Sequence, residues 1–253
     1  MQRLLRLFGE ESALGRFLNR LYVIIASNLL FVLFSVPVVT IGASLSALNY
    51  TLMKYQRGDK HFKVAAMFWK GFRESFGKAT VCFVVYVLLM LFQALEISWC
   101  RQFAGPVALF RYALIGLMAL ETILAAYLFP VIAAFNGGIR ELLKNALYFA
   151  FSKPHCMLAC VALYVAPLAA TYVFFQYLPL WAFLWLMFGF ALIAYIAGGI
   201  MLRQFMPFLP EVDICGDIIP LGMEGDPNIM VGEDDSGDDP DEDTLREMMK
   251  YGL

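Results

Sequence analysis

A single carboxylate, Glu121, interrupts an apolar stretch that runs from 112 to 139. An ionised carboxylate near the middle of a membrane span costs roughly 3 kcal/mol, so such residues turn toward the interior of a helix bundle and pair with polar groups. The sequence offers Asn28, Asn49, Gln93 and Thr122 as hydrogen-bond partners. Two interpretations stay open: a proton- or substrate-linked site, and a hydrogen bond that holds two helices together.

Other residues with catalytic or metal-binding chemistry are few. The histidines, His61 and His155, fall in predicted loops, and Cys156 and Cys160 after His155 lack the paired spacing of a zinc site. The five cysteines are scattered, which is typical of reduced thiols that act as small apolar residues. The sequence contains no phosphate loop, nucleophile elbow or metalloprotease motif. We therefore predict that the protein is not an enzyme and uses no metal or cofactor.

The composition indicates a membrane protein. Of the 253 residues, 61% are hydrophobic and 16% charged, and the mean hydropathy is +0.69. A water-soluble fold of this size cannot bury so much apolar surface in one core, which excludes a cytosolic enzyme and a secreted disulfide scaffold. The charge is divided, with a basic part over 1–210 and an acidic part over 211–253. We predict a helix bundle in a lipid bilayer over 1–210 and a largely disordered acidic cytoplasmic tail over 211–253, without nucleic-acid binding.

Uncharged runs predict an all-α bundle of about six spanning helices. A span needs about 20 apolar residues, and the run from 156 to 202 is long enough for two, with a turn near 176–179. The run from 21 to 53 is tight for two helices, which would break at Pro37 and Gly42. The predicted spans are 20–38, 40–56, 79–98, 109–135, 156–175 and 180–202. If 40–56 is instead a re-entrant or interfacial helix, the count is five.

Basic residues predict the orientation in the membrane. The segment before the first span and the segment from 54 to 78 are rich in Lys and Arg, and positively charged loops stay in the cytoplasm. We expect both segments and the loop 140–153 on the cytoplasmic side of the cell membrane, with both termini inside. An even number of crossings must then separate the first two basic segments.

Two cytoplasmic stretches have amphipathic helical patterns. In 62–76, aromatic residues repeat along one face and basic residues lie beside them. We expect this helix at the membrane interface. It is either a connector packed on its own bundle or a docking surface for a partner, with Trp69, Phe72, Arg73 and Phe76 as the contact residues. The stretch 139–151 repeats the pattern more weakly.

Several short sequences together resemble the YesL-like family, a bacterial membrane domain of unknown function. They are SALGRFLNR at 12–20, NLLF at 28–31, PVVTIGAS at 37–44, FWKGFRESF at 68–76, LFP at 128–130 and KNA at 144–146. The resemblance implies a multi-pass bacterial membrane protein, whose relatives are often encoded beside carbohydrate-uptake ABC transporters. It assigns no catalytic or binding residue to this chain, and the acidic tail is not part of the family pattern.

Three functions follow from these observations. An accessory, non-catalytic subunit that binds an ABC permease or its ATPase accounts for the cytoplasmic motifs and the lack of catalytic groups. A small transporter or channel, working as a homo-oligomer, accounts for Glu121 and the interrupted helices. A membrane enzyme is the least favoured, because no acid–base or metal set is visible. Binding of a purified sugar or ion would favour the second function, and capture of a permease the first.

Overall fold

The computed structural model describes residues 13–58, 63–100, 102 and 106–208, and every regular element among them is helical. The predicted all-α membrane helix bundle is confirmed. The acidic segment 211–253 lies outside the described residues, so its character stays a prediction. The α-helices are α1 (Ala13–Phe34), α2 (Ile41–Gln56), α3 (Val64–Cys100), α4 (Pro106–Ala134), α5 (Ile139–Ser152), α6 (Pro154–Val173), α7 (Leu178–Leu184) and α8 (Phe190–Phe205).

In the described part of the chain, five stretches are long and apolar enough to cross a membrane: Leu14–Phe34, Val64–Cys100, Leu109–Ala134, Pro154–Val173 and Phe175–Phe208. The predicted span 40–56 corresponds to α2, which is not among them. Its 16 residues extend over about 24 Å, which is less than the roughly 30 Å of a bilayer core. The described residues therefore contain five candidate spans instead of six, the alternative that the sequence left open.

The turn between α1 and α2 occupies 35–40 and contains Pro37. The Thr40 hydroxyl lies 2.6 Å from the carbonyl oxygen of Phe34 and 2.7 Å from that of Pro37. It can donate to either carbonyl, so it ties the end of α1 to the start of α2. Gly42 lies beyond the turn, inside α2, so the helix break does not include it.

Helices α1 and α2 form a hairpin, so the end of α2 lies near the start of α1. The side chain of Arg20 in α1 hydrogen-bonds Tyr55 in α2, and Gln56 Nε2 donates to the carbonyl oxygen of Tyr195 in α8 over 2.6 Å. Burial raises the pKa of the Tyr55 phenol, Tyr195 raises it further, and Arg20 lowers it. Arg20 and the basic residues Lys54 and Arg57 therefore lie at the same end of this hairpin, although α2 is too short to count as a span.

Helix α2 is the centre of the packed bundle. Eleven of its 16 residues are buried, including Asn49 and Thr51, which hydrogen-bond carbonyl groups one turn earlier in the same helix. Gly42 allows α3 to approach closely, because a Cβ atom there would lie 2.5 Å from the carbonyl oxygen of Ala79 and from Phe83 Cβ. Small residues at such positions are the usual means of close helix packing in membranes.

Helix α3 has two halves with different neighbours. Its 37 residues extend over about 55 Å, well beyond the thickness of a bilayer core. The first half packs on α2, where Tyr50 lies against Gly71, and the second half packs on α4, where Phe83 contacts Phe129. The predicted interfacial helix over 62–76 and the predicted span over 79–98 are thus one continuous helix over the described residues.

Candidate functional site

Glu121 and Gln93 form a buried polar contact between α4 and the second half of α3. Gln93 Nε2 donates to Glu121 Oε1 over 2.7 Å. Gln93 is 4% exposed, and Glu121 is half-buried. The two residues lie on apolar helices that pack against each other in antiparallel directions, and their side chains meet at this interface. Of the partners that the sequence offered to Glu121, Gln93 is the one that the structure brings to it.

One oxygen of each side chain lacks a hydrogen-bond partner within the described residues. These atoms are Gln93 Oε1 and Glu121 Oε2, and both are shielded from solvent. An ionised carboxylate only accepts hydrogen bonds, whereas a protonated carboxyl group can also donate one. The pair therefore has the capacity to hold a proton, or to accept a hydrogen bond from a polar ligand, inside a candidate span.

The other predicted partners of Glu121 bond elsewhere. Thr122 donates to the carbonyl oxygen of Met118 and lies 3.4 Å from the Tyr86 hydroxyl. Asn49 donates to Leu45 in its own helix. Thr122 follows Glu121 by one residue and therefore points to a different side of α4, whereas Asn49 lies on α2.

Asn28 uses both the donor and the acceptor of its buried side-chain amide in hydrogen bonds. Its Nδ2 donates to the carbonyl oxygens of Trp185 and Leu186 over 3.0 and 2.7 Å, and its Oδ1 accepts from the Ala191 amide over 2.9 Å. These backbone groups belong to a π-helical segment, Trp185–Gly189, and to the start of α8. A π-helical turn disturbs the regular ladder of backbone hydrogen bonds, and the Asn28 amide satisfies the groups that this turn displaces.

A second polar cluster was missed by sequence reasoning. The Tyr127 hydroxyl lies beside the Cys160 thiol and the Gln204 amide, and all three residues are buried. They come from α4, α6 and α8, which are far apart in the chain. The Tyr127 hydroxyl and both polar atoms of the Gln204 side chain lack a hydrogen-bond partner within the described residues, and no spacing in the sequence indicates that these three residues meet.

The predicted docking residues lie on the first half of α3, in unequal environments. Trp69 is 54% exposed and Phe76 43%, and Arg73 is exposed as well. Phe72 is buried, with its ring against Phe34 and Trp69. The helix buries the face that carries Gly71 and Ser75, so it packs on its own bundle and still leaves a surface open.

The described residues contain no group of three His, Cys, Asp or Glu side chains that could hold a metal ion. His155 is exposed near the start of α6, and His61 lies outside the described residues. Cys82, Cys100, Cys156 and Cys160 are free thiols.

Two comparisons with known proteins give a match. Residues 24–97 match the family model described as "Protein of unknown function, DUF624". The chain is 26% identical over 138 residues to "Uncharacterized protein YesL" of Bacillus subtilis (strain 168), a match that covers 53% of this chain and 65% of that protein. The predicted resemblance to the YesL-like family is confirmed. No solved structure matches the chain.

The match to the DUF624 family model begins inside α1 and ends near the end of α3. It includes Asn28, Gly42, the exposed surface around Trp69, and Gln93. Glu121 lies beyond it. The family model thus covers the hairpin and one half of the buried polar pair.

Proposed function

We propose that the protein is a non-catalytic accessory subunit that associates with an ABC transporter for carbohydrate uptake in a bacterial cell membrane. The observation that carries the proposal is the exposed aromatic and basic surface of Trp69, Arg73 and Phe76 on α3, called the docking surface below. The carbohydrate part of the proposal rests on the family resemblance, because relatives are often encoded beside such transporters.

The docking surface has a rigid support. The Trp69 ring stacks on Phe72 with a centroid distance of 6.0 Å and an angle of 18°, and it also contacts Phe34 at 5.8 Å. Phe72 is itself buried, so it supports Trp69 and does not reach a partner. Trp and Arg dominate the binding energy of many protein interfaces, and side chains held in place lose little entropy on binding.

The proposed orientation places the docking surface in the cytoplasm. The first half of α3 carries Lys70, Arg73 and Lys78, and Lys63 directly precedes it. The α1–α2 hairpin places Tyr55, near the end of α2, beside Arg20. Basic segments next to spans are retained in the cytoplasm. An ATPase subunit and the cytoplasmic loops of a permease are accessible from that side, and a partner with an acidic, apolar surface fits the docking surface.

Co-purification from native membranes tests this proposal. The tagged protein is solubilised gently, and the proteins that elute with it in stoichiometric amounts are identified. We expect a permease or ATPase of a carbohydrate ABC transporter. Trp69→Ala should reduce its capture roughly thirtyfold, a loss of about 2 kcal/mol.

Phe92→Ala is the matched control, because Phe92 is an aromatic residue of comparable exposure, 60%, on the second half of the same helix. It should leave capture unchanged. Elution of the wild-type protein alone, or equal losses for Trp69→Ala and Phe92→Ala, would contradict the accessory function.

A small secondary transporter or channel is the second candidate, and the Glu121–Gln93 pair favours it. A carboxylate within a span is the usual proton-binding group of membrane transporters, and here one carboxylate oxygen is left without a partner in the described structure. Five candidate spans within the described part of the chain are few for a translocation pathway, so this function would require a homo-oligomer.

Proton flux tests the second candidate. The purified protein is placed in liposomes that contain a pH-sensitive dye, and a potassium diffusion potential drives protons inward. If the candidate holds, the wild type and Glu96→Gln conduct protons and Glu121→Gln does not. Absence of flux in the wild type would exclude a proton channel.

A further inference from the structure

Helix α5 is held at one face of the membrane by the spans on either side of it. Its start, Ile139, follows the end of α4 at Ala134 by a short turn, and Lys153 alone separates its end from the start of α6 at Pro154. Because α4 and α6 contain candidate spans, both ends of α5 lie at the same membrane surface. Its 14 residues, about 21 Å long, therefore run along that surface.

This helix has two apolar faces, and the protein covers one of them. Leu142, Ala146, Phe149 and Ala150 are buried, with Phe149 against Phe135 and Phe205. A second stripe repeats every fourth residue and is between 42% and 54% exposed. It is called the α5 stripe below, and it consists of Ile139, Leu143, Leu147 and Phe151.

Charge beside the α5 stripe is predominantly positive. Arg140, Lys144 and Lys153 are exposed. The acidic residue of the helix, Glu141, is already engaged, because its Oε2 accepts a hydrogen bond from the Gly138 amide over 3.0 Å at the start of the helix. A basic edge next to an exposed apolar stripe is the pattern of helices that lie at the interface of an anionic leaflet.

An open groove runs along the C-terminal half of the stripe. It is lined by Lys144, Leu147, Tyr148, Phe151 and Ser152. Lys144 and Ser152 lie at opposite ends, eight residues or about 12 Å apart along the helix axis. The lining between them is apolar, so the groove combines a cationic end with a surface for a hydrocarbon chain.

We propose that this groove binds an anionic phospholipid of the leaflet on which α5 lies. The lipid phosphate pairs with the Lys144 ammonium group, and an acyl chain covers Leu147, Tyr148 and Phe151. The position of α5 between two spans and the charge of its edge identify the occupant as a membrane lipid. The inference is independent of the proposed accessory function, because no residue of the docking surface takes part.

Photo-crosslinking in membranes tests the lipid site. The full-length protein is reconstituted in zwitterionic phosphatidylcholine that contains a trace of phosphatidylglycerol with a diazirine in its acyl chain, and adducts are mapped by mass spectrometry. We expect adducts on 147–151, and competition by unlabelled phosphatidylglycerol but not by phosphatidylcholine. Lys144→Gln should weaken this competition about fivefold, which corresponds to the roughly 1 kcal/mol contributed by one basic residue at an anionic surface.

Lys70→Gln is the matched control, because Lys70 is also an exposed lysine on a basic helix face but lies on α3. It should leave the adducts on α5 unchanged. Equal labelling by phosphatidylglycerol and phosphatidylcholine probes, or no effect of Lys144→Gln, would overturn the proposal. Protection of 139–153 from both probes would mean that a protein covers the α5 stripe, and would overturn it as well.

Discussion

The side-chain amides of Asn28 and Gln93 are both buried in apolar helices, at 0% and 4% exposure, and they are bonded in opposite ways. Asn28 uses its donor and acceptor atoms in three hydrogen bonds to the backbone between Trp185 and Ala191. Gln93 makes one hydrogen bond to Glu121 and leaves its own oxygen unpartnered in the described structure, beside an unpartnered carboxylate oxygen. The first amide is closed to any further ligand, and the second is not.

The packing around the two amides also differs, and it is tighter around Asn28 than around Gln93. Asn28 lies where α1, α2 and α8 pack together, and α2 is buried along most of its length. Gln93 lies on the second half of α3, where neighbours such as Leu88, Phe92 and Leu95 are exposed. The region around Asn28 and α2, called the inner region below, therefore holds its shape by its own contacts. The second half of α3 and the part of α4 that packs on it form the outer region. This region keeps apolar surface for lipid or a partner, and unpartnered polar atoms that a proton or ligand could use.

Asn28→Asp should have the largest effect on stability. The substitution removes both N–H donors and places carboxylate oxygens against the carbonyl oxygens of Trp185 and Leu186. Loss of a buried network that includes an unpaired charge costs about 3–5 kcal/mol, or roughly 10 °C in the melting temperature of a protein of this size. Thermal unfolding of the purified protein in detergent measures it.

Asn19→Asp makes the same chemical change at an exposed position of the same helix. It should change the free energy of unfolding by less than about 0.5 kcal/mol. Similar melting temperatures for Asn28→Asp and Asn19→Asp would contradict a closed polar site around Asn28.

Gly42→Ala should have the next largest effect, because the inner region has no room for a methyl group there. The added Cβ would lie 2.5 Å from the carbonyl oxygen of Ala79, and overpacking of this kind costs about 1–3 kcal/mol. Gly116→Ala in α4 is the matched change in the outer region, where an added Cβ meets no atom within 4 Å.

The Gly116→Ala variant should be unchanged or more stable by up to about 1 kcal/mol, since alanine favours the helix. Melting temperatures of the two variants compare the regions directly. A loss at Gly116 as large as that at Gly42 would mean that the outer region is packed as tightly as the inner one.

Apolar run lengths predict most of the fold, and they fail where helices cover each other. The runs at 109–135 and 156–175 agree with α4 and α6 to within a few residues. The run at 21–53 has no charge, but its length does not distinguish a short span from a helix buried by protein. Ser44, Ser46, Asn49 and Thr51, all buried in α2, are the signal for the latter, because lipid-facing helices have few polar residues.

The sequence does not indicate which side of the first half of α3 packs on the protein. Aromatic residues in 62–76 predict one apolar face that includes Trp69, Phe72 and Phe76, whereas the structure buries Phe68, Gly71, Phe72, Ser75 and Ala79. Gly71 packs against Tyr50 of α2, whereas the rings of Trp69 and Phe76 remain exposed. The sequence offered four candidate partners for Glu121, but which of them it contacts depends on how α3 and α4 are rotated about their axes. The π-helical turn beside Asn28 has no sequence signal.

Glu121→Gln should have the smallest effect on stability, and it tests most directly whether the polar contact at Gln93 differs in role from that at Asn28. It makes the reverse exchange to Asn28→Asp, replacing an acid by an amide. The new amide still accepts from Gln93 Nε2 and gains a donor for Gln93 Oε1, the atom that lacks a partner in the described structure. A hydrogen bond between spans contributes about 0.6 kcal/mol, so the melting temperature should stay constant or rise slightly, with Glu96→Gln as the control.

A fall comparable to that of Asn28→Asp would show that the carboxylate itself holds the helices together. Unchanged stability with loss of proton flux would instead show that Glu121 serves transport.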